Sequence, residues 1–229
     1  MSRAPIAIAL DAPDLETLRS WVSQTCEYVT TMKVGLEVFC RDGHAAVAAV
    51  REAAASPVDI FLDLKLHDIP ATVAGAARAV ASVQPRFLTV HASGGPAMIA
   101  AAAEALPDTL ITAVTVLTSL DGSDLDAIGL AGPPESAVVR LAKMATAAGA
   151  RALVCSPQEV AAVRHAVGAG IVLITPGVRP AGGSTDDQRR IATPEQAIAD
   201  GADLLVIGRP ITAATDVPLA ARTIAASLR

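Results

Sequence analysis

The run FLDLKLHDIP at 61–70 sets three charges among apolar residues. Asp63 and Lys65 are two apart, so on a β-strand both side chains stand on one face. Asp68 follows three residues later. Charge within an apolar strand is costly unless it is paired. Two other apolar runs carry Asp11 and Lys33, which extend the alternation of sign to Asp11, Lys33, Asp63, Lys65, Asp68. One reading is a structural ion-pair network. The other is acid chemistry, with a lysine kept protonated by flanking carboxylates, because nearby negative charge favours the ammonium form. A Schiff-base lysine needs desolvation or a cationic neighbour, and the carboxylates here argue against one.

Such residues need a frame to bring them together. Short β-branched apolar runs alternate with alanine-rich amphipathic stretches along the whole chain. Strands are expected at 6–10, 31–34, 59–64, 87–91, 110–115, 152–155, 171–175 and 204–207. Helical patterns lie near 15–26, 43–54, 72–83, 96–105, 135–148, 158–167, 194–200 and 217–228. Ser156-Pro157, Thr193-Pro194 and Asp216-Val217-Pro218 offer helix starts, and Gly149 and Gly201 offer stops. Continuously apolar strands belong to a parallel sheet covered on both faces. Eight βα units predict an α/β chain folded as a closed (β/α)8 TIM barrel, one domain over 1–229. An open doubly wound sheet is the runner-up, but no G-x-G-x-x-G follows the first strand.

In a barrel, chemistry gathers at the C-terminal ends of the strands. Those ends carry Asp11, then Lys33 and Gly35, then Asp63, Lys65 and Asp68, then His91. They continue with Thr115 to Ser119, Thr175-Pro-Gly-Val-Arg179 and Gly208-Arg209-Pro210. VIGRPIT at the eighth strand reads as a phosphate grip. Gly208 admits close backbone approach, Arg209 offers a fork of donors, and helix-start amides add more. The plainer reading is a surface arginine after a capping glycine. The longest irregular stretch, 176–192, holds Arg179 and Gln188 and has the length of a functional loop. Arg189 and Arg190 read as solvated. His67 and His91 flank the charged mouth and read as packing partners, and Cys155 reads as core.

Composition narrows the classes. The chain is 52% hydrophobic and 18% charged, which excludes disorder. Its net charge of −5 with no basic cluster argues against nucleic acid as a partner. Three scattered cysteines, with neither CxxC nor Cys/His spacing, point to reduced cytoplasmic thiols and no metal site. No apolar run is long enough for a signal peptide or a membrane span.

Several motifs now combine. ALD at 9–11, MKVG at 32–35, FLDLKLHDIP at 61–70, VHASGG at 90–95, VTVLTS at 114–119, TPGVRP at 175–180, DQRR at 187–190 and VIGRP at 206–210 closely resemble orotidine 5′-phosphate decarboxylase of the bacterial type. They run in order over almost the whole chain. The D-x-K-x-x-D core is shared with hexulose-phosphate synthase; MKVG and TPGVRP…DQRR add the specificity.

The resemblance implies loss of CO2 from C6 of orotidine 5′-phosphate to give UMP, the last step of pyrimidine nucleotide synthesis, with no cofactor. By the family pattern Lys65 protonates C6, and Asp63 sits against the substrate carboxylate and Lys65. Asp68, Ile69 and Thr72 would reach the site of the other subunit of a homodimer. Asp11 and Lys33 would bind the ribose hydroxyls, Thr118 and Ser119 lie where the pyrimidine is read, and Arg179, Gln188, Gly208 and Arg209 would hold the phosphate. Two alternatives stay open. One is a Mg2+-dependent aldolase like hexulose-phosphate synthase, against which Lys33 counts because that family has an acidic residue there. The other is a non-catalytic barrel that binds nucleotide phosphates.

Overall fold

The computed structural model describes residues 3–130, 132–179 and 192–228. Eight parallel strands, in sequence order, close on themselves: β1 Ala4–Ala9, β2 Val29–Gly35, β3 Asp59–Leu66, β4 Phe87–His91, β5 Leu110–Val114, β6 Ala152–Val154, β7 Val172–Thr175 and β8 Leu204–Ile207. β1 pairs with both β2 and β8, so the described sheet has no free edge. The helices are α1 Leu15–Thr25, α2 Leu36–Asp42, α3 His44–Ala53, α4 Pro70–Ala79, α5 Pro96–Ala105, α6 Gly122–Ala127, α7 Pro134–Ala147, α8 Val160–Val167, α9 Pro194–Ala199, α10 Arg209–Thr212 and α11 Val217–Ser227. The expected closed (β/α)8 barrel is the observed fold.

Strand alternation separates two cores. One face of each strand packs outward against the helices, as Ile6, Ile8, Met32, Val34, Leu62, Leu88 and Leu205 do. The other face fills the barrel axis with Ala7, Phe61, Phe87, Leu110, Ala152, Ile174 and Leu204. With so few aromatics, the tilted Phe61–Phe87 pair, its ring centroids 5.5 Å apart, supplies much of the bulk inside. Above this plug, at the C-terminal mouth, the barrel is open.

Local signals account for most helix ends. Asp14 caps α1 through Thr17 N–H, Thr193 caps α9 through Gln196 N–H, and Asp216 caps α11 through Leu219 N–H. Gly149 and Gly201, at φ 102° and 108°, take the left-handed backbone that turns the chain into the next strand. Ser156 is the exception. Its Oγ accepts from Gln158 N–H 3.2 Å away, and α8 starts only at Val160. The serine therefore closes a local turn that precedes the helix. α2, α6 and α10 have no counterpart among the expected helices.

Candidate active site

The C-terminal mouth holds a cavity of about 580 Å3. That falls within the range of small-molecule sites, about 300–1,000 Å3. Its apolar floor comes from Ala9, Phe61, Val114, Val154 and Val206, the last layer of inward-facing residues. Asp11, Lys33, Asp63, Lys65, Thr118, Arg179, Gly208 and Arg209 line it above. Eight of the expected site residues thus share one space.

Asp63 is the hub. Lys65 Nζ donates to its Oδ1 at 2.7 Å, and Lys33 Nζ lies 3.1 Å from its Oδ2. The Asp63 side chain is only 14% exposed. Burial alone would raise its pKa, but the ammonium groups of Lys33 and Lys65 outweigh that and hold the carboxyl below the usual range. A buried carboxylate between two cations stays ionised at neutral pH. Gly35 makes room beside it, since a Cβ there would stand 2.9 Å from Asp11 Oδ1 and 3.1 Å from Lys33 Nζ. A side chain at this position would press on both groups.

The backbone of β3 is irregular where it carries this chemistry. Leu62 pairs with Leu88 and Leu66 with Val90, so β3 holds two more residues than β4 between these pairs. Lys65 lies in that stretch at φ 48°, the left-handed region. For a residue with a side chain this costs about 1–3 kcal/mol and persists only where surrounding contacts impose it. Those contacts come from Thr89, whose hydroxyl accepts from Lys65 N–H at 2.7 Å and donates to Asp63 Oδ1 at 3.1 Å. Sequence reasoning did not single out Thr89. The available signal was its place in an apolar strand, on the same face as His91 two residues on and next to the strand of Asp63 and Lys65.

His91 is half-buried, its ring 5.4 Å from that of His67. Burial first, then His67 and the Lys65 ammonium, hold its pKa below the ordinary histidine value. His91 thus packs beside the charged array, as expected, whereas His67, expected to pack as well, is exposed. Cys155 is fully buried, again as expected.

The second charged group lies across the mouth. β3 and β7 are four strands apart in a ring of eight, hence on opposite sides. Arg179 follows β7, is only 8% exposed, and donates from Nη1 to Val178 O. Its own N–H donates to Ala192 O at 3.0 Å, and Val178 and Ala192 form a bridge that ties the two ends of the long loop together. Gly208 and Arg209 follow β8, with Gly208 close against Ala9. Gln188 lies outside the described residues.

Four expected residues do not line this cavity. Ser119, one residue past Thr118, is exposed, and so is Thr72 at the start of α4. Asp68 is exposed, its Oδ1 accepting from Ile69 N–H at 2.6 Å. Ile69 is 66% exposed, a large apolar residue presented to solvent. Among the described residues no group of three or more His, Cys, Asp or Glu is arranged to hold a metal ion, and no helix is long and apolar enough to cross a membrane.

A closed (β/α)8 barrel with a Lys–Asp–Lys cluster and two arginines around one cavity at its C-terminal mouth has the architecture of a barrel enzyme. More specifically, the chain belongs to the orotidine 5′-phosphate decarboxylase / HUMPS family, whose profile matches residues 4–224. It is 62% identical over 226 residues to an orotidine 5′-phosphate decarboxylase of Thermobifida fusca, covering 99% of this chain and 96% of that one. A protein of the same name from Frankia casuarinae is 56% identical over 241 residues, with 99% and 88% covered. The crystal structure of orotidine 5′-phosphate decarboxylase from Lactobacillus acidophilus superposes with a TM-score of 0.85 at 34% identity, covering 99% of both chains.

Proposed function

We propose that this protein decarboxylates orotidine 5′-phosphate to UMP without a cofactor, in the cytoplasm, as a homodimer. The observation that carries the reading is the Lys65 ammonium, held on the ionised Asp63, in one cavity with the arginines across the mouth. The substrate has a matching layout, a carboxylated pyrimidine at one end and a phosphate at the other. The C6–carboxylate bond breaks, its electron pair stays on C6, and CO2 leaves. Lys65 then gives a proton to C6 and becomes the neutral amine. The C6 pair lies in the ring plane, where no π system spreads it, so a preorganised cation is the effective stabiliser. Asp63 faces the substrate carboxylate. Asp11 and Lys33 bind the ribose hydroxyls, and Thr118, with Ser119 beside it, reads the pyrimidine. Arg179, Gln188, Gly208 and Arg209 hold the phosphate. Binding energy at that remote end offsets the cost of seating a carboxylate beside Asp63.

Asp68, Ile69 and Thr72 serve the cavity of the second subunit. Their exposure, and their absence from the lining of their own cavity, support this role.

The test is the loss of orotidine 5′-phosphate ultraviolet absorbance on incubation with the protein and excess EDTA. Turnover is expected to survive chelation. EDTA inactivation reversed by Mg2+ would favour the aldolase-like alternative, and no reaction with or without metal would favour a binding protein.

Arg209→Ala tests the phosphate end. This variant should lose catalytic efficiency on the intact nucleotide, by about 10²-fold if a charge-assisted contact worth about 3 kcal/mol is lost. Orotidine without its phosphate should be affected far less. Equal losses on both substrates would remove Arg209 from phosphate binding.

A further inference from the structure

We propose that Thr89 is a positioning residue for the decarboxylation. Its buried hydroxyl ties the Lys65 backbone to the Asp63 carboxylate and so fixes the direction from which the ammonium meets C6. The inference rests on the decarboxylase reading above.

Thr89 is fully buried and does not line the cavity, so it acts through others. The direction of its hydrogen bonds is forced. Lys65 N–H can only donate and the ionised Asp63 can only accept, so the hydroxyl accepts from the first and donates its single proton to the second. With the bond from Lys65 Nζ to the same Asp63 Oδ1, a closed circuit forms: Lys65 backbone, Thr89 hydroxyl, Asp63 carboxylate, Lys65 ammonium. Each member restrains the next.

The need for a restraint is visible in the backbone. Lys65 stands at φ 48° inside the stretch where β3 and β4 lose register. An unrestrained residue would leave that conformation for the extended one. Its side chain would then leave the position from which it reaches both Asp63 and the cavity. Lys33 holds Asp63 Oδ2 from the other side, so losing the Thr89 hydroxyl frees the lysine backbone more than it frees the carboxylate.

Three substitutions separate positioning from packing. Thr89→Val keeps the shape and removes the hydroxyl. Thr89→Ala and Thr89→Ser both lose the methyl group, and only the serine keeps the hydroxyl, so their ratio reads the hydroxyl free of the cavity that the methyl group leaves. Misplacement of a reacting group by about 1 Å costs about 10²-fold in rate. The valine and alanine variants should therefore lose roughly 10- to 100-fold in kcat with KM within about threefold of wild type. The serine variant should stay within about threefold of wild type in both. The same loss of kcat should appear on orotidine lacking its phosphate, because the restraint acts at the decarboxylating end.

Equal kcat for the alanine and serine variants would overturn the proposal, as would a loss confined to KM. If the valine variant does not fold, the alanine-to-serine ratio decides. If neither the valine nor the alanine variant folds, the hydroxyl is structural and the proposal falls. An inactive wild-type protein would overturn the decarboxylase reading and this inference together. An active wild type with no dependence on the hydroxyl would overturn the inference alone.

Discussion

Lys65→Ala is expected to fold normally and to lose at least about 10²-fold in turnover, the usual cost of removing one preorganised charge from a transition state. Loss of the proton donor adds to this. The fold should survive because the Lys65 side chain is 29% exposed and is one of two cations on Asp63. Lys33, 3.1 Å away, still neutralises the carboxylate in the variant, and the Thr89 hydroxyl still donates to it. Nucleotide binding through Arg179 and Arg209 should persist, so UMP should still raise the melting temperature of the variant. Thermal unfolding with and without UMP, set beside single-turnover decay of substrate absorbance, measures both halves of the prediction. A folded variant with activity within tenfold of wild type would exclude Lys65 from the mechanism.

Restoration of activity by mixing two inactive proteins should be nearly as large an effect. Asp68 and Ile69 leave the barrel mouth on the segment that enters α4, exposed and outside the lining of their own cavity. A two-fold axis presents such a segment twice, each copy to the other subunit. Lys65→Ala and Asp68→Ala homodimers should each be nearly inactive. After subunit exchange about half of the dimers are hybrid. In each hybrid one site collects both lesions and the other has neither, so about a quarter of all sites should become native-like. Activity should climb from near zero toward that fraction. If Asp68 served its own chain, every site would keep one lesion. Verified exchange without recovery would therefore refute the shared site and leave the decarboxylase reading untouched.

The barrel was largely legible in the sequence. The strands Phe87–His91 and Leu204–Ile207 have the bounds expected of them, and α5 runs over the expected 96–105. Apolar runs between clear breakers carry their own limits, because burial of one or both faces sets the pattern residue by residue. The helices that escaped notice, α2, α6 and α10, have seven, six and four residues. That is too short for a 3.6-residue period to stand out from its surroundings.

Of the site, the amino-acid sequence determined which residues carry charge, that Asp63 and Lys65 share a face, and that strand ends bring Asp11, Lys33, Arg179 and Arg209 to one mouth. Those are consequences of local periodicity and of barrel topology. It did not determine that Asp63 would be gripped from both sides, by Lys65 at one oxygen and Lys33 at the other, while Asp68 stands exposed beside Ile69. Nor did it indicate the left-handed backbone at Lys65 or the role of Thr89, 24 residues away along the chain. Both depend on a register offset between two neighbouring strands. Such an offset arises only when β3 and β4 pair and pack side by side, so no property of either strand alone reveals it.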